Sequence, residues 1–278
     1  MNVTVRRNLA ATLAVFALLA SACAAGNAGS SEELNVWPTG TSVIYEVSSA
    51  QSQAMEIPGM GEQVGNTSQT VEFRVESSGV REFMITVLKA SSTSDTPDDG
   101  MMPDISELVG LEATLLLSDR GELVETSGVA GNVWVEAQGG EEPYAEELRG
   151  FFLYLPEELV RPGVTWTREY GYTADQMGME LQFEFADTYR CVEETVFEGT
   201  RALKIEMESK ISLGGGGDQM GTLIDLALSG TGDGIMIVDA VTGMLLSAES
   251  KGMMSGGLAA QGMDIPMTMT MASAIRVK

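Results

Sequence analysis

The side chains that could carry chemistry are few, because the chain contains no histidine. Without histidine, neither a Ser-His-Asp or Cys-His hydrolase nor a His-ligated zinc, copper or haem site can be built. Carboxylates are abundant, with 40 Asp and Glu against 16 Lys and Arg, but no pair stands out by its spacing. We therefore expect a non-catalytic protein, and a hydrolase that uses two carboxylates alone stays open as an alternative.

Methionine is the unusual residue type, with 18 in the chain. Met267, Met269 and Met271 alternate with threonines, so their three thioethers would share one face of a strand. Thioethers suit Cu(I), but no histidine or cysteine pair completes such a site, and we expect no metal and no cofactor. Methionine is unbranched and adaptable, which suits a hydrophobic core and also the lining of a site for apolar ligands.

Cys23 ends a stretch with a basic start, a short apolar run and small residues, which is the pattern of a secretory signal. Residues 18–23, Leu-Leu-Ala-Ser-Ala-Cys, resemble the lipobox of bacterial lipoproteins, although Ala20 stands where leucine is usual. The resemblance implies that 1–22 is a signal peptide and that the lipidated Cys23 holds the protein to a membrane. Since Ala24 is not aspartate, it implies the outer membrane if the cell has one, and otherwise the outer face of the cytoplasmic membrane.

The rest of the composition limits the partners. A formal net charge of −24 argues against nucleic acid, whose phosphates would be repelled. Small and polar residues make 23–35 a predicted flexible tether between the anchor and the folded domain. Cys191 follows several aromatic residues in the sequence, so we expect a buried and inert thiol.

From residue 36 onward the apolar residues alternate with polar ones, as in half-buried strands. Val43, Tyr45 and Val47 follow this rule, as do the strands around Phe183 and Ile205. Glycine-bearing turns separate the alternating segments. The pattern predicts an all-β, mainly antiparallel domain over 36–278, built as a curved sheet or a half-open barrel.

Two short helices are predicted among the strands. One would begin at Asp104 and end at Gly110. The other is indicated by apolar residues at helical spacing before Pro156, namely Tyr144, Leu148, Phe151, Phe152 and Leu155. We expect this second helix to plug one end of the sheet and its acidic residues, including Glu146 and Glu147, to face solvent.

The two halves of the domain share several short features. A Pro-Thr-Gly-Thr segment at 38–41 and a Pro-Gly-Val-Thr-Trp segment at 162–166 open them, and each half later has an Asp-to-Gly turn. These matches indicate a possible internal duplication of 36–140 and 156–278.

The strand rhythm and the segment 162–166 resemble the lipoprotein-carrier fold of LolA and LolB and the related mycobacterial lipid-carrier lipoproteins. That resemblance implies an acyl-chain site between a curved sheet and short helices. Its lining would be Tyr144, Phe151, Phe152, Met267, Met269 and Met271. We therefore expect a lipid-anchored envelope protein that binds a lipid or another apolar ligand. The alternative is a structural or protein-interaction lipoprotein with a filled core and no small-molecule ligand.

Overall fold

The computed structural model describes residues 36–95, 105–128, 135, 140–176, 179–219, 222–260 and 262–278. The predicted signal peptide, Cys23 and the tether lie outside the described residues, as does Asp104. The strands are β1 Ser42–Ile57, β2 Gly61–Gly79, β3 Glu82–Ser94, β4 Glu112–Leu117, β5 Leu123–Ser127, β6 Thr165–Gln176, β7 Met179–Phe197, β8 Thr200–Gln219, β9 Thr222–Asp239, β10 Leu245–Ala260 and β11 Met263–Val277.

All eleven strands form one antiparallel sheet in the order β5-β4-β3-β2-β1-β11-β10-β9-β8-β7-β6. Consecutive strands are neighbours within β1–β5 and within β6–β11, and the pairing of β1 with β11 joins these two runs into one sheet. The sheet is open, with β5 and β6 as its edges. The predicted all-β antiparallel architecture is confirmed. Residues 36–140 supply β1–β5 and 156–278 supply β6–β11, and their origin by duplication stays a prediction.

The strands bury one face of the sheet and expose the other. In β7, Leu181, Phe183 and Phe185 are buried while the glutamine and glutamate between them are exposed. β8 has 20 residues, and a strand of that size extends over roughly 65 Å at ~3.3 Å per residue. The exposed face carries ion pairs such as Arg276–Glu249 at 2.9 Å. Exposed pairs of this kind add little stability, so burial of the other face is the main source of stability.

Two glycines allow the neighbouring strands β9 and β10 to approach each other closely. A Cβ placed on Gly230 of β9 would lie 2.0 Å from the carbonyl oxygen of Met253 on β10. A Cβ placed on Gly256 of β10 would lie 2.0 Å from the carbonyl oxygen of Ala227 on β9. No side chain fits at either position, and glycines of this kind mark bends in a sheet.

The second predicted helix is shorter than expected. The helix α1 spans Glu141–Leu148 and a 3-10 turn follows over Arg149–Phe151. Phe152 is already extended, with φ −131° and ψ 139°. The rings of Phe151 and Phe152 pack on two different strands, Phe151 on Tyr45 of β1 and Phe152 on Phe83 of β3. Adjacent side chains point in different directions when the backbone is extended. The helix therefore ends before Phe152.

The first predicted helix is a 3-10 turn over Ile105–Leu108. Of the three apolar residues predicted to share one face of this segment, Ile105 and Leu108 are buried, whereas Val109 is 50% exposed. Gly110 follows with φ 91°, a left-handed conformation that stops the segment before an α-helix can form.

Candidate functional site

The buried face of the sheet is divided into two apolar clusters with a polar belt between them. The first cluster includes Trp166, Tyr189 and Met207, and the second cluster includes Phe185 and Ile211. We call the cross-strand row between them the polar belt. It runs through Arg168, Asp187, Ser209, Gly232, Gly252, Met271, Gln51 and Thr67. Met271 is its apolar member and belongs to the second cluster as well.

The segment after α1 packs onto the first cluster. The Phe152 ring lies 4.2 Å from that of Phe83 and 5.7 Å from that of Trp37, measured between centroids. The indole of Trp166 donates a hydrogen bond to the carbonyl oxygen of Tyr154 at 2.8 Å. The same segment therefore touches β3 near one edge and β6 at the other, which agrees with the prediction that it plugs the sheet.

The second cluster is built from strands alone. All of its buried members lie on β1 or on β6–β11, and none comes from α1 or its following segment. Met267, Met269 and Met271 share the buried face of β11, as predicted. On the opposite side of the cluster, Tyr172 stacks on Phe183 with ring centroids 4.9 Å apart.

The predicted lining residues do not share one surface. Tyr144, Phe151 and Phe152 belong to the first cluster, and the three methionines belong to the second. The aromatic residues pack in the core. The ring centroid of Phe151, for example, lies 5.0 Å from that of Tyr45. Among the predicted residues, the methionines are therefore the better candidates for contact with a ligand.

A buried charged group lies where α1 meets the polar belt. Arg149 is fully buried and Arg168 is 7% exposed. Arg149 Nε donates to Glu146 Oε2 at 3.0 Å, and Arg168 Nη2 donates to the same oxygen at 3.4 Å. Arg149 Nη1 also donates to the carbonyl oxygen of Gly121 at 3.3 Å. The Arg168 guanidinium carbon lies 3.7 Å from the ring centroid of Tyr170, a cation–π contact.

The electrostatics of this group follow from two cations sharing one carboxylate. Burial disfavours the charged form of Glu146, but Arg149 and Arg168 outweigh it, so the pKa of Glu146 is lowered. Burial and the neighbouring charge of Arg149 lower the pKa of Arg168. The two guanidinium groups thus repel each other in a desolvated environment, and an added negative charge between them would relieve that repulsion.

Asp187 faces Arg168 across the β6–β7 pair. Its Oδ1 accepts a hydrogen bond from Ser209 Oγ and its Oδ2 accepts one from the Tyr189 hydroxyl, both at 2.6 Å. Burial raises the pKa of Asp187 in spite of these bonds. Both oxygens of Asp187 accept hydrogen bonds from hydroxyl groups, and Asp187 interacts with Arg168 through its charge.

Glu147 is the neighbour of Glu146 on α1 and behaves in the opposite way. Burial raises the pKa of Glu147 to about 8, so its carboxyl group is mainly neutral at pH 7. It lies close enough to Tyr144 and Tyr172 to raise their pKa values, after the larger effect of burial on both. The prediction that Glu146 and Glu147 face solvent is wrong, because α1 turns them toward the sheet.

The sequence contained a signal for the charged group that our reasoning missed. Arg168 lies in phase with Trp166 and Tyr170 on β6, and Asp187 lies in phase with Phe185 and Tyr189 on β7. A charged residue in the buried phase of an alternating strand is unusual and points to a paired group. The pairing itself, with Glu146 and Arg149 on a distant segment, follows only from the tertiary structure.

Two further predictions concern reactive groups. Cys191 is fully buried, and burial raises the pKa of its thiol to about 11, so the predicted buried thiol is confirmed. Within the described residues, no three or more Cys, Asp and Glu side chains are placed to hold a metal ion. No helix in the described part of the chain is both long and apolar enough to cross a membrane.

Comparisons with known proteins give little guidance. No protein-family model matches the chain, and no curated protein matches it. Among solved structures, lipovitellin, described for its lipid–protein interactions, matches with a TM-score of 0.49 and 11% identity over 87% of this chain. This chain spans only 25% of the lipovitellin chain. Neisserial surface protein A matches with a TM-score of 0.23 and 8% identity over 85% of this chain and 98% of its own. Scores this low establish no shared function.

Proposed function

We propose that the protein is a lipid-anchored, non-catalytic protein of the bacterial cell envelope that binds an apolar chain along the second cluster. The anchor is argued from the lipobox-like residues that end at Cys23. Several acyl chains on one residue give a durable anchor, since each buried CH₂ adds ~0.8 kcal/mol. The observation that supports the binding of an apolar ligand is the composition of the second cluster.

The second cluster combines adaptable side chains with positions that have none. Its β11 wall is made of methionines, which adjust to varied apolar shapes. Between that wall and the aromatic residues of β7, Gly230 on β9 and Gly256 on β10 are in phase with the buried residues but carry no side chain. At these two glycines the backbones of β9 and β10 approach each other closely.

The size of the cluster suits an acyl chain. Ile265 and Met271 mark its extent along β11, and the six residue steps between them correspond to roughly 20 Å at ~3.3 Å per residue. An acyl chain in a bilayer leaflet spans half of the ~30 Å hydrocarbon core. The second cluster is therefore at least as long along β11 as a single acyl chain.

The alternative function is a structural or protein-interaction lipoprotein whose core is already full. Its supporting observation is the deep burial of Leu181 and Met269, both at 0% exposure. Because these side chains are completely covered, a ligand could enter only by displacing them. This alternative predicts a dry interior and a partner that binds the exposed face.

The ligand is tested with the full chain carrying Cys23→Ala, which secretes the domain without its anchor. The purified protein is extracted with organic solvent before and after incubation with envelope lipids, and the extract is examined by mass spectrometry. A stoichiometric lipid in either extract is expected. Clean extracts from both samples would overturn ligand binding and favour the filled core.

The anchor is tested separately on the unmodified chain. We expect the membrane fraction to contain the protein with an intact mass that includes acyl chains on Cys23. The Cys23→Ala variant is expected in the soluble fraction. A membrane-bound Cys23→Ala variant, or an unmodified Cys23, would overturn the lipid anchor.

A further inference from the structure

We propose that Arg149 and Arg168 bind the anionic head, a carboxylate or a phosphate, of an amphipathic ligand whose chain lies along the second cluster. The inference rests on the proposed function, since the second cluster holds the chain. It adds the chemical class of the ligand and the residues that bind its charged head.

The first observation is a pair of unused donors. Arg149 Nη2 and Arg168 Nη1 are buried and have no hydrogen-bond partner in the described part of the chain. Buried N–H groups without a partner are rare in folded proteins, because they lose water and gain nothing in return. Both belong to side chains more than nine-tenths buried, so water at the surface does not satisfy them.

The second observation is the shortage of negative charge beside them. In the part of the chain that the structure describes, Glu146 Oε2 is the one carboxylate oxygen that pairs with both guanidinium groups. The oxygens of Asp187 already accept hydrogen bonds from Ser209 and Tyr189. A carboxylate or phosphate from outside the chain offers the planar, paired acceptors that guanidinium groups bind best.

The third observation is position. Arg168 lies on β6 between Trp166, which belongs to the first cluster, and Tyr170, which packs against the second. The first cluster is occupied by the aromatic segment after α1. An anionic head held at the polar belt therefore has one apolar direction for its chain, along the second cluster. This is the arrangement expected for a ligand with one charged and one apolar end.

A purely structural role is the competing explanation, in which Arg168 only stacks on Tyr170 and steadies Glu146. The two explanations differ in how affinity depends on the charge of the ligand. Palmitate and hexadecanol have chains of the same length, and only palmitate carries a negative charge. A structural role leaves their affinities alike, whereas an anion site separates them.

The experiment measures the Kd of palmitate, hexadecanol and inorganic phosphate with the full chain carrying Cys23→Ala. We expect palmitate to bind at least about tenfold more tightly than hexadecanol, which corresponds to ~1.4 kcal/mol. Adding Arg168→Met should abolish that preference, and Arg168→Lys should keep part of it. Arg120→Met is the matched control: the guanidinium carbons of Arg168 and Arg120 both lie over the Tyr154 ring, 5.6 Å and 4.7 Å from its centroid, but Arg120 pairs with the exposed Glu157.

Each other outcome refutes a different statement. Equal affinities for palmitate and hexadecanol would overturn the anion site and leave chain binding intact. No binding of either compound would overturn the proposed function itself. Phosphate bound as tightly as palmitate would overturn the assignment to an amphipathic ligand. If circular dichroism shows that Arg168→Met does not fold, the anion site is still tested by Arg168→Lys and by the affinities of palmitate and hexadecanol for the parent protein.

Discussion

Replacing Glu147 with glutamine should make the stability of the protein less sensitive to alkaline pH. Burial raises the pKa of Glu147 to about 8, so the folded protein holds this proton more tightly than the unfolded chain does. Between the ordinary glutamate pKa of 4.5 and the raised value, unfolding releases a proton. Stability is therefore lost as pH rises through this window, and above it the loss is complete.

The size of the effect follows from the shift. Each pKa unit is worth ~1.4 kcal/mol, so the shift of Glu147 from 4.5 to about 8 corresponds to at most about 5 kcal/mol. Glu147 keeps part of its surface accessible, and contact with water reduces the figure to about 2–3 kcal/mol. Glutamine keeps the shape and removes the titration, so the Glu147→Gln variant should be spared this loss.

The assay is urea unfolding of the parent and of Glu147→Gln at pH 5, 7 and 9, values chosen around the window. The difference in unfolding free energy between the two proteins should move by about 2–3 kcal/mol in favour of the variant from pH 5 to pH 9. Glu146→Gln is the control: its carboxylate is already charged at pH 5, so it should lower stability without changing the pH slope. A constant difference between the parent and Glu147→Gln would refute the buried, neutral carboxyl.

Three further predictions concern the core, the thiol and the second cluster. Phe152→Ala should cost about 3–5 kcal/mol in urea unfolding, while Val196→Ala, on a side chain 70% exposed, should stay within about 0.5 kcal/mol; similar costs would contradict the placement of Phe152. Cys191 should react with a maleimide at pH 8 at least about 100-fold more slowly in the native protein than in urea, and comparable rates would contradict its burial. Gly252→Leu should reduce bound lipid at least about fivefold, because it adds a bulky side chain at the polar belt beside the second cluster, whereas Met253→Leu on the exposed face should not; equal occupancies in the two variants would place the chain elsewhere.

The sheet was predictable because alternation is a local property. Each strand carries its own pattern of buried and exposed residues, as Leu181, Phe183 and Phe185 do in β7. The shared face of Met267 and Met271 was predictable for the same reason. The pairing of β1 with β11, which makes one sheet of the two halves, depends on contacts distant in sequence and leaves no local pattern.

The helical half of the charged group was not predicted because Glu146 and Arg149 are individually ordinary in the sequence. Glu146 lies in a short acidic helix and Arg149 directly follows it, a context in which solvated charge is the usual interpretation. Their burial results from the direction in which α1 leaves the sheet, which is fixed by the packing of Phe151 and Phe152 on β1–β3. Helical spacing could not show that the segment becomes extended at Phe152, since the spacing of apolar residues continues to Leu155.

The most direct test of the proposed ligand site is photo-crosslinking with a fatty acid that carries a diazirine at the end of its chain. The probe is bound to the full chain carrying Cys23→Ala, irradiated, and the modified residues are mapped by peptide mass spectrometry. Adducts on the buried face of β11, at Met267 or Met269, are predicted, with none on the exposed Met253. Adducts confined to the exposed face, or no adducts at all, would contradict an apolar chain along the second cluster.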